Sequence, residues 1–192
     1  MVMYEAVRRL NLGCGFDLRP DCVNADNFPE CNPDILLDIE QPDWTFDDDR
    51  FDHVLMKHVL EHVGKDFADF AQIMRNLHRI TSPGGVIEIH VPHYRHETYW
   101  SDPTHVRAFT ALTFRMMSKR QNDEWIANRA NYTMLAYVMD VHFELKSAIQ
   151  VYDNAYVTQM NEGKLSKEEV RRMAEQNWGV VRELQFQLTV VK

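Results

Sequence analysis

The sequence predicts an α/β fold: a doubly wound, mostly parallel sheet of seven strands, closed by an antiparallel strand pair. Three observations predict it. Short apolar runs alternate with turns and with one strongly amphipathic helix, and such alternation implies parallel strands joined by right-handed crossovers. Two glycines, Gly13 and Gly15, punctuate the exit of the first run. From Val141 onward the apolar period falls to two, as in half-buried strands.

Taken in order, the first strand is Val7–Leu12, and it enters a turn over Asn11–Gly15. Only residues 16–22 separate that turn from the second strand, Val23–Asp26, and Pro20 interrupts them. A full helix is therefore not expected in the first crossover. Asp26 stands at the end of the second strand. A carboxylate there can accept hydrogen bonds from a ribose diol, and glycine lets backbone approach a ligand closely. Residues 28–34 form a loop, and the third strand is Ile35–Ile39. The acidic stretch 42–50 is loop or a single helical turn, and the fourth strand is Phe51–Met56.

The helix follows over Lys65–Ile80, where Phe67, Phe70, Ala71, Met74 and Leu77 repeat at one-face spacing. Ser82-Pro83-Gly84-Gly85 stops it. The fifth strand, Val86–Val91, is nearly continuous in apolar character, as in a strand covered on both faces. Residues 92–110 lack periodicity and read as an irregular segment rich in His, Tyr, Arg and Trp. A short helix is expected over 112–119, and 121–131 is polar without a clear assignment. The two closing strands lie near 141–151 and 184–190. Between them Ser166-Lys167-Glu168-Glu169 is a capping box, with Leu165 and Val170 in staple positions.

Bulk properties bound the function. The chain of 192 residues is 45 % apolar and 26 % charged, suited to one domain spanning 1–192. Its formal charge is −8, and no Lys/Arg run exceeds two residues. That balance disfavours nucleic acid and membrane surfaces as partners. Cys14, Cys22 and Cys31 lack zinc-site pairing and read as free thiols of a reducing compartment. Residues 1–10 contain no apolar core of signal-peptide length, and no run approaches a membrane span. A cytoplasmic location is expected.

The ordered set Leu10-Asn11-Leu12-Gly13-Cys14-Gly15, Asp26, Asp38-Ile39, residues 51–63 (FDHVLMKHVLEHV), the amphipathic helix ending in Ser82-Pro83-Gly84-Gly85, and residues 86–92 (VIEIHVP) resembles the class I S-adenosylmethionine-dependent methyltransferases. The likeness is greatest to a small bacterial subgroup with LNLGCG and HVLEHV motifs. It covers roughly residues 8–110, and the closing strands fit the family's Rossmann-like sheet. The resemblance implies S-adenosylmethionine as cofactor and S-adenosylhomocysteine as product. It implies that the backbone of Leu12, Gly13, Cys14 and Gly15 approaches the methionine part. Asp26 would hold the ribose hydroxyls, with Asn27 beside the adenosine. Asp38 and Ile39 would flank adenine, and Lys57 and His58 would line the methionine side. Residues 1–91 would then form the cofactor half, 92–140 the substrate side and 141–192 the closing strands and helix. One departure is the missing third glycine of a G-x-G-x-x-G turn, which disfavours a dinucleotide.

In an open parallel sheet, ligands bind beyond the carboxyl ends of the strands. The segment 92–110 leaves the fifth strand there, so it is expected beside the transferred methyl. His105 is the candidate general base, with His93 as the alternative, since imidazole ionises near neutral pH. Asp102 would orient a nearby imidazole. Arg95 and Arg107 would clamp an acidic group on the substrate, and Tyr94, Tyr99 and Trp100 would wall its pocket. No metal site is predicted. His90, His93, His96 and His105 are dense, but they do not share the face of one helix. The expected acceptor is an oxygen or nitrogen of a small or glycan-like molecule, and the expected assembly is a monomer or homodimer. A cofactor-binding protein without transfer activity and a metal-assisted enzyme on the histidine cluster are the competing readings.

Overall fold

A computed structural model describes residues 6–192. Its seven strands form one sheet in the order β3-β2-β1-β4-β5-β7-β6. They are β1 (Arg9–Leu12), β2 (Val23–Asp26), β3 (Ile35–Leu36), β4 (Phe51–Lys57), β5 (Thr81–Pro92), β6 (Phe143–Tyr152) and β7 (Val181–Val190). The first five pair in parallel; β7 runs antiparallel to both β5 and β6. This is the mostly parallel sheet with a closing antiparallel pair that the periodicity predicts.

The helices are α1 (Phe67–Ile80), α2 (Glu97–Ser101), α3 (Ala111–Arg115), α4 (Lys119–Ala127), α5 (Leu135–Met139), α6 (Asn154–Asn161) and α7 (Lys167–Gln176). Helix α1 buries Phe70, Ala71, Ile73, Met74 and Leu77. They join Leu10, Leu12, Val54, Met56, Ile87, Ile89 and Phe186 from the alternate positions of the strands in one continuous core. The intervening strand positions are more polar. His53, Glu88 and His90 are half-buried and linked, His53 Nε2 to Glu88 Oε2 at 3.2 Å and His90 Nε2 to Glu88 Oε1 at 2.7 Å. Strand β5 is thus closed on one face and partly wet on the other, less enclosed than its composition suggests. Among the described residues, no helix is long and apolar enough to cross a membrane.

The first crossover contains no helix, as Pro20 and its shortness predict. Two buried asparagines organise it instead. Asn11 Nδ2 donates to Asp17 O (2.7 Å) and to Asn24 Oδ1 (3.1 Å). Asn24 Oδ1 also accepts from Arg19 N (2.8 Å), and Asn24 Nδ2 donates to Arg19 O and to Asp34 Oδ2. These side chains satisfy backbone groups that a helix would pair internally.

Other elements depart from their predicted bounds. β3 is two residues long, because its last ladder bond, Leu37 N to Asp26 O, falls where β2 ends. The Ser-Pro-Gly-Gly segment ends α1 yet lies within β5 as a bulge. Phe51 faces Thr81 and His53 faces Val86, so the extra residues loop out, with Gly84 at φ +77°. Residues 92–110 include the single-turn helix α2, capped by the His96 ring, which accepts from Thr98 N. The polar stretch at 121–131 is mostly α4. Two helices, α6 and α7, fill the connection between β6 and β7, and only α7 has the predicted capping box.

Candidate active site at the carboxyl ends of the parallel strands

A cavity of about 440 Å³ opens where β1, β2, β3 and β4 end. β1 delivers Gly13 and Gly15, and β2 delivers Asp26 and Asn27. The turn after β3 supplies Leu37, Asp38, Ile39 and Glu40, and the segment after β4 supplies His58, Val59, His62 and Val63. Gly13 has φ +70°, and a Cβ there would lie 2.4 Å from Val59 Cγ2. The N–H groups of Gly13 and Cys14 both donate to Ala25 O, which locks the turn against β2. Gly15 donates its N–H to Asp26 Oδ2 (2.8 Å), and Phe28 N donates to Asp26 Oδ1 (2.9 Å). Each Asp26 oxygen therefore retains acceptor capacity. Asp38 accepts from Glu40 N and Gln41 Nε2, forming the tight turn that carries Ile39 into the wall. The Cys14 thiol is buried, and burial together with neighbouring Cys31 pushes its pKa up to about 12. It remains a protonated packing group.

A second cavity, of about 460 Å³, adjoins the first and shares His58 and His62 with it. Its other walls are Lys57, Glu61, Pro92, Thr98, Asp102, His105, Arg182 and Glu183. His58 has φ +55° and anchors its N–H on His90 O. Its ring Nε2 meets Glu183 Oε2 at 2.9 Å, and its Nδ1 lies 3.4 Å from Glu61 Oε1. Those two carboxylates, Glu183 first, raise the His58 pKa to about 9. For Glu183, burial alone would raise the pKa, but hydrogen bonds from His58 and Gln185 bring it down to about 2. The junction of the two cavities therefore carries an imidazolium–carboxylate pair at neutral pH.

Two other imidazoles are oriented through Nδ1. His105 Nδ1 lies 2.6 Å from Tyr99 O. A carbonyl only accepts, so the proton is on Nδ1 and a neutral ring offers its lone pair at Nε2. Thr104 Oγ1 donates to Asp102 Oδ1 (2.6 Å) and stands 2.8 Å from His62 Nδ1. The hydroxyl proton is committed to the carboxylate, so His62 Nδ1–H donates to Thr104 and His62 also presents Nε2. Asp102 thus acts on His62 through Thr104, whereas backbone orients His105. The two rings meet edge to face, with centroids 4.5 Å apart.

The structure brings most of the predicted cofactor residues together: Gly13, Gly15, Asp26, Asn27, Asp38, Ile39 and His58 line one cavity. Leu12 is buried in the core, and Cys14 contributes backbone behind the wall. Lys57 instead lines the second cavity and pairs with Asp17 at 3.4 Å.

The predicted substrate residues, and His93, the alternative base, divide. Tyr99 supports His105 with its carbonyl and its ring, centroids 5.3 Å apart. His93 and Tyr94 are stacked on each other and line a different cavity, beside β6 and α7. His93 is buried, and its Nδ1 accepts from Arg95 N. Arg95 donates to Glu175 O. Arg107 lies over the Phe70 ring at 4.4 Å and donates to Gly64 O, pinning the entry to α1. These four side chains therefore stand apart from the two adjoining cavities. The four clustered histidines separate likewise: His90 turns to Glu88, His93 to Arg95, and His96 to Asp153 at 3.5 Å. His62 and His105 converge instead, with Glu61.

Arg182 and Glu183 were not visible as site residues in the sequence. They begin β7, far along the chain, and only the antiparallel register brings them to Pro92. Glu61 and His62 carry a local signal, the His-Val-Leu-Glu-His element, which by itself equally suits a structural pin for β4.

A family model described as a methyltransferase domain matches residues 5–136. The chain belongs to the methyltransferase-domain family. Among curated proteins, no sequence matches it. Several solved structures share its fold at low identity. The YcgJ protein of Bacillus subtilis is 13 % identical, with a TM-score of 0.54, covering 98 % of this chain and 93 % of that one. An S-adenosylmethionine-dependent methyltransferase of Archaeoglobus fulgidus is 14 % identical, with a TM-score of 0.54, covering 97 % and 87 %. One from Mesorhizobium loti is 16 % identical, with a TM-score of 0.53, covering 98 % and 93 %.

The protein is thus a class I methyltransferase, an enzyme whose cofactor is S-adenosylmethionine. The residues of the methyltransferase fit that group. The first cavity lies in the usual size range for such ligands. It offers the Asp26 carboxylate with spare acceptor capacity, and at Gly15 a backbone with nothing among the described residues within 4 Å of where a Cβ would stand.

Proposed function

We propose that the enzyme transfers a methyl group to an oxygen or nitrogen of a small-molecule or glycan-like acceptor held in the second cavity. The observation that carries this reading is the contiguity of the two cavities through His58 and His62, with the His105 Nε2 lone pair beside them. Asp26 would accept from the ribose hydroxyls, Asn27 and Asp38 would border the adenosine, and Gly13 and Gly15 would admit the amino-acid tail. When bound, S-adenosylmethionine supplies an activated methyl for in-line displacement. The chain holds the acceptor in line and keeps water out, effects that can lower such a barrier by roughly 7–11 kcal/mol. His105 Nε2 takes the acceptor proton, with Tyr99 O holding the ring in the required tautomer. The Glu183 carboxylate neutralises His58, so that no bare cation faces a sulfonium there.

The test measures S-adenosylhomocysteine release and methylated product over a panel of hydroxylated and amino-bearing small molecules and sugars. Transfer to oxygen or nitrogen, with kcat reduced at least about 100-fold in His105→Gln, is expected. Transfer to carbon only, or unchanged turnover in His105→Gln, overturns the acceptor assignment or the base assignment respectively.

A further inference from the structure

Glu61 is a buried carboxylate that the methyl-transfer reading leaves without work. It has 0 % exposure, and among the described residues neither side-chain oxygen has a hydrogen-bond partner. Leaving a buried charged group unsatisfied is costly. His58 gives Nε2 to Glu183, and its Nδ1 makes only a long ion-pair contact with Glu61 Oε1, at 3.4 Å, which leaves Oε2 uncompensated. Glu61 also faces the second cavity, together with His62 and His105. One ligand atom from each of Glu61, His62 and His105 lies within 4.8 Å of the other two.

The two imidazoles are arranged as metal-binding imidazoles are. Each has its Nδ1–H engaged, His105 on a backbone carbonyl and His62 on the Thr104–Asp102 chain. Such partners fix ring orientation and leave Nε2 for a cation. Two imidazoles and one carboxylate suit a borderline divalent ion and leave an open coordination position.

We propose that Glu61, His62 and His105 form a binding site for a divalent transition cation of the zinc class. Binding requires neither methyl donor nor acceptor, so it stands or falls independently of the proposed reaction. Where that reaction also holds, an ion on His105 Nε2 occupies the lone pair that accepts the proton, and cation loading opposes turnover. A second group of potential ligands, Cys14, Asp26 and Cys31, competes for the assignment. It is less suited, because the Cys14 thiol is held protonated and Asp26 already accepts two backbone N–H groups.

The experiment titrates Zn2+ into the chelator-treated full chain by calorimetry. One ion per chain is expected. Glu61→Gln, His62→Gln and His105→Gln each weaken it at least about 100-fold, and Thr104→Val, at an exposed position, weakens it about 10-fold or more. Cys31→Ser leaves it unchanged. Circular dichroism identifies any variant that fails to fold, and Thr104→Val then carries the test. Co2+ in place of Zn2+ reports the ligand atoms, with no thiolate charge-transfer band expected. The proposal is overturned if wild type binds no zinc, if Thr104→Val and the triad variants bind as wild type does, or if the thiolate band appears.

Discussion

Gly13 is constrained from two directions. Its φ of +70° costs a side-chain-bearing residue about 1–2 kcal/mol, and a Cβ would sit 2.4 Å from Val59 Cγ2, an overlap worth about 1–3 kcal/mol. Gly13→Ala should therefore lose about 2–5 kcal/mol in urea unfolding. Val59→Ala removes the overlap but not the backbone cost. The double variant should be less destabilised than the summed singles by about 1 kcal/mol or more, and simple additivity would show that the contact relaxes freely. His93 gives a pH-dependent counterpart. Burial, and then Arg95 and His96, lower its pKa to about 4, against about 6.5 in the unfolded chain. Between these values the unfolded state binds more protons, so the contribution is intact above about pH 6.5 and is lost as pH falls toward 4. The loss is about 1–3 kcal/mol. His93→Gln should flatten the stability profile over that range, and an unchanged slope would assign the acid sensitivity elsewhere. At this scale the sequence discloses residues whose chemistry is local. Gly13 and Asp26 are readable because strand, turn and acid follow one another. Arg107 is not, because its partner, the Gly64 carbonyl, is set by tertiary packing.

Helix α7 is anchored by reciprocal bonds: Ser166 Oγ accepts from Glu169 N, while Glu169 Oε2 accepts from Ser166 N at 2.8 Å. Ser166→Ala should cost about 1 kcal/mol and lower the melting temperature by about 2–4 °C for a chain of this size. An unchanged midpoint would mean that Val170, fully buried on the same helix, holds α7 unaided. Capping boxes and apolar periods are local, so α1, α7 and the closing strands are recognisable before folding. The misread elements are those decided elsewhere in the molecule. β3 is short because β2 ends at Asp26. The Ser-Pro-Gly-Gly segment joins β5 because β4 reaches back to Thr81. Helix α4 has a mostly polar surface and little apolar period. It is held by Asn122, buried, which donates to Met116 O and accepts from Ala136 N. No one-dimensional pattern encodes that bridge. The same reason separates the candidate sites: the proposed cofactor cavity comes from consecutive strand ends, whereas the proposed acceptor cavity needs Arg182 and Glu183 from β7.

For the molecule as a whole, the strand order places the ends of β1, β2, β3 and β4 around one cavity and adds β5 and β7 at its neighbour. A ligand in the first cavity bridges four strand ends spread over about a quarter of the chain, from Gly13 to Val63, so its binding energy should register as global stability. S-adenosylhomocysteine at 100 times its Kd should add about 2.7 kcal/mol, a rise of roughly 5–10 °C in melting temperature. Asp26→Asn replaces one carboxylate oxygen by a donor where the proposed contact with the ribose hydroxyls needs an acceptor. Loss of a hydrogen bond to a charged group costs about 1.5–3 kcal/mol, so affinity should fall about 10- to 100-fold. At the same ligand concentration the stabilisation then shrinks to about 0.4–1.4 kcal/mol. Because Asp26 also receives Gly15 N and Phe28 N, the unliganded variant must be melted alongside, and the ligand-induced increment is the quantity compared. If the increment survives in Asp26→Asn, the ribose does not rest on this carboxylate. If wild type itself shows no increment while S-adenosylmethionine is consumed, the cofactor binds without bridging the strand ends, and the first cavity is not its site.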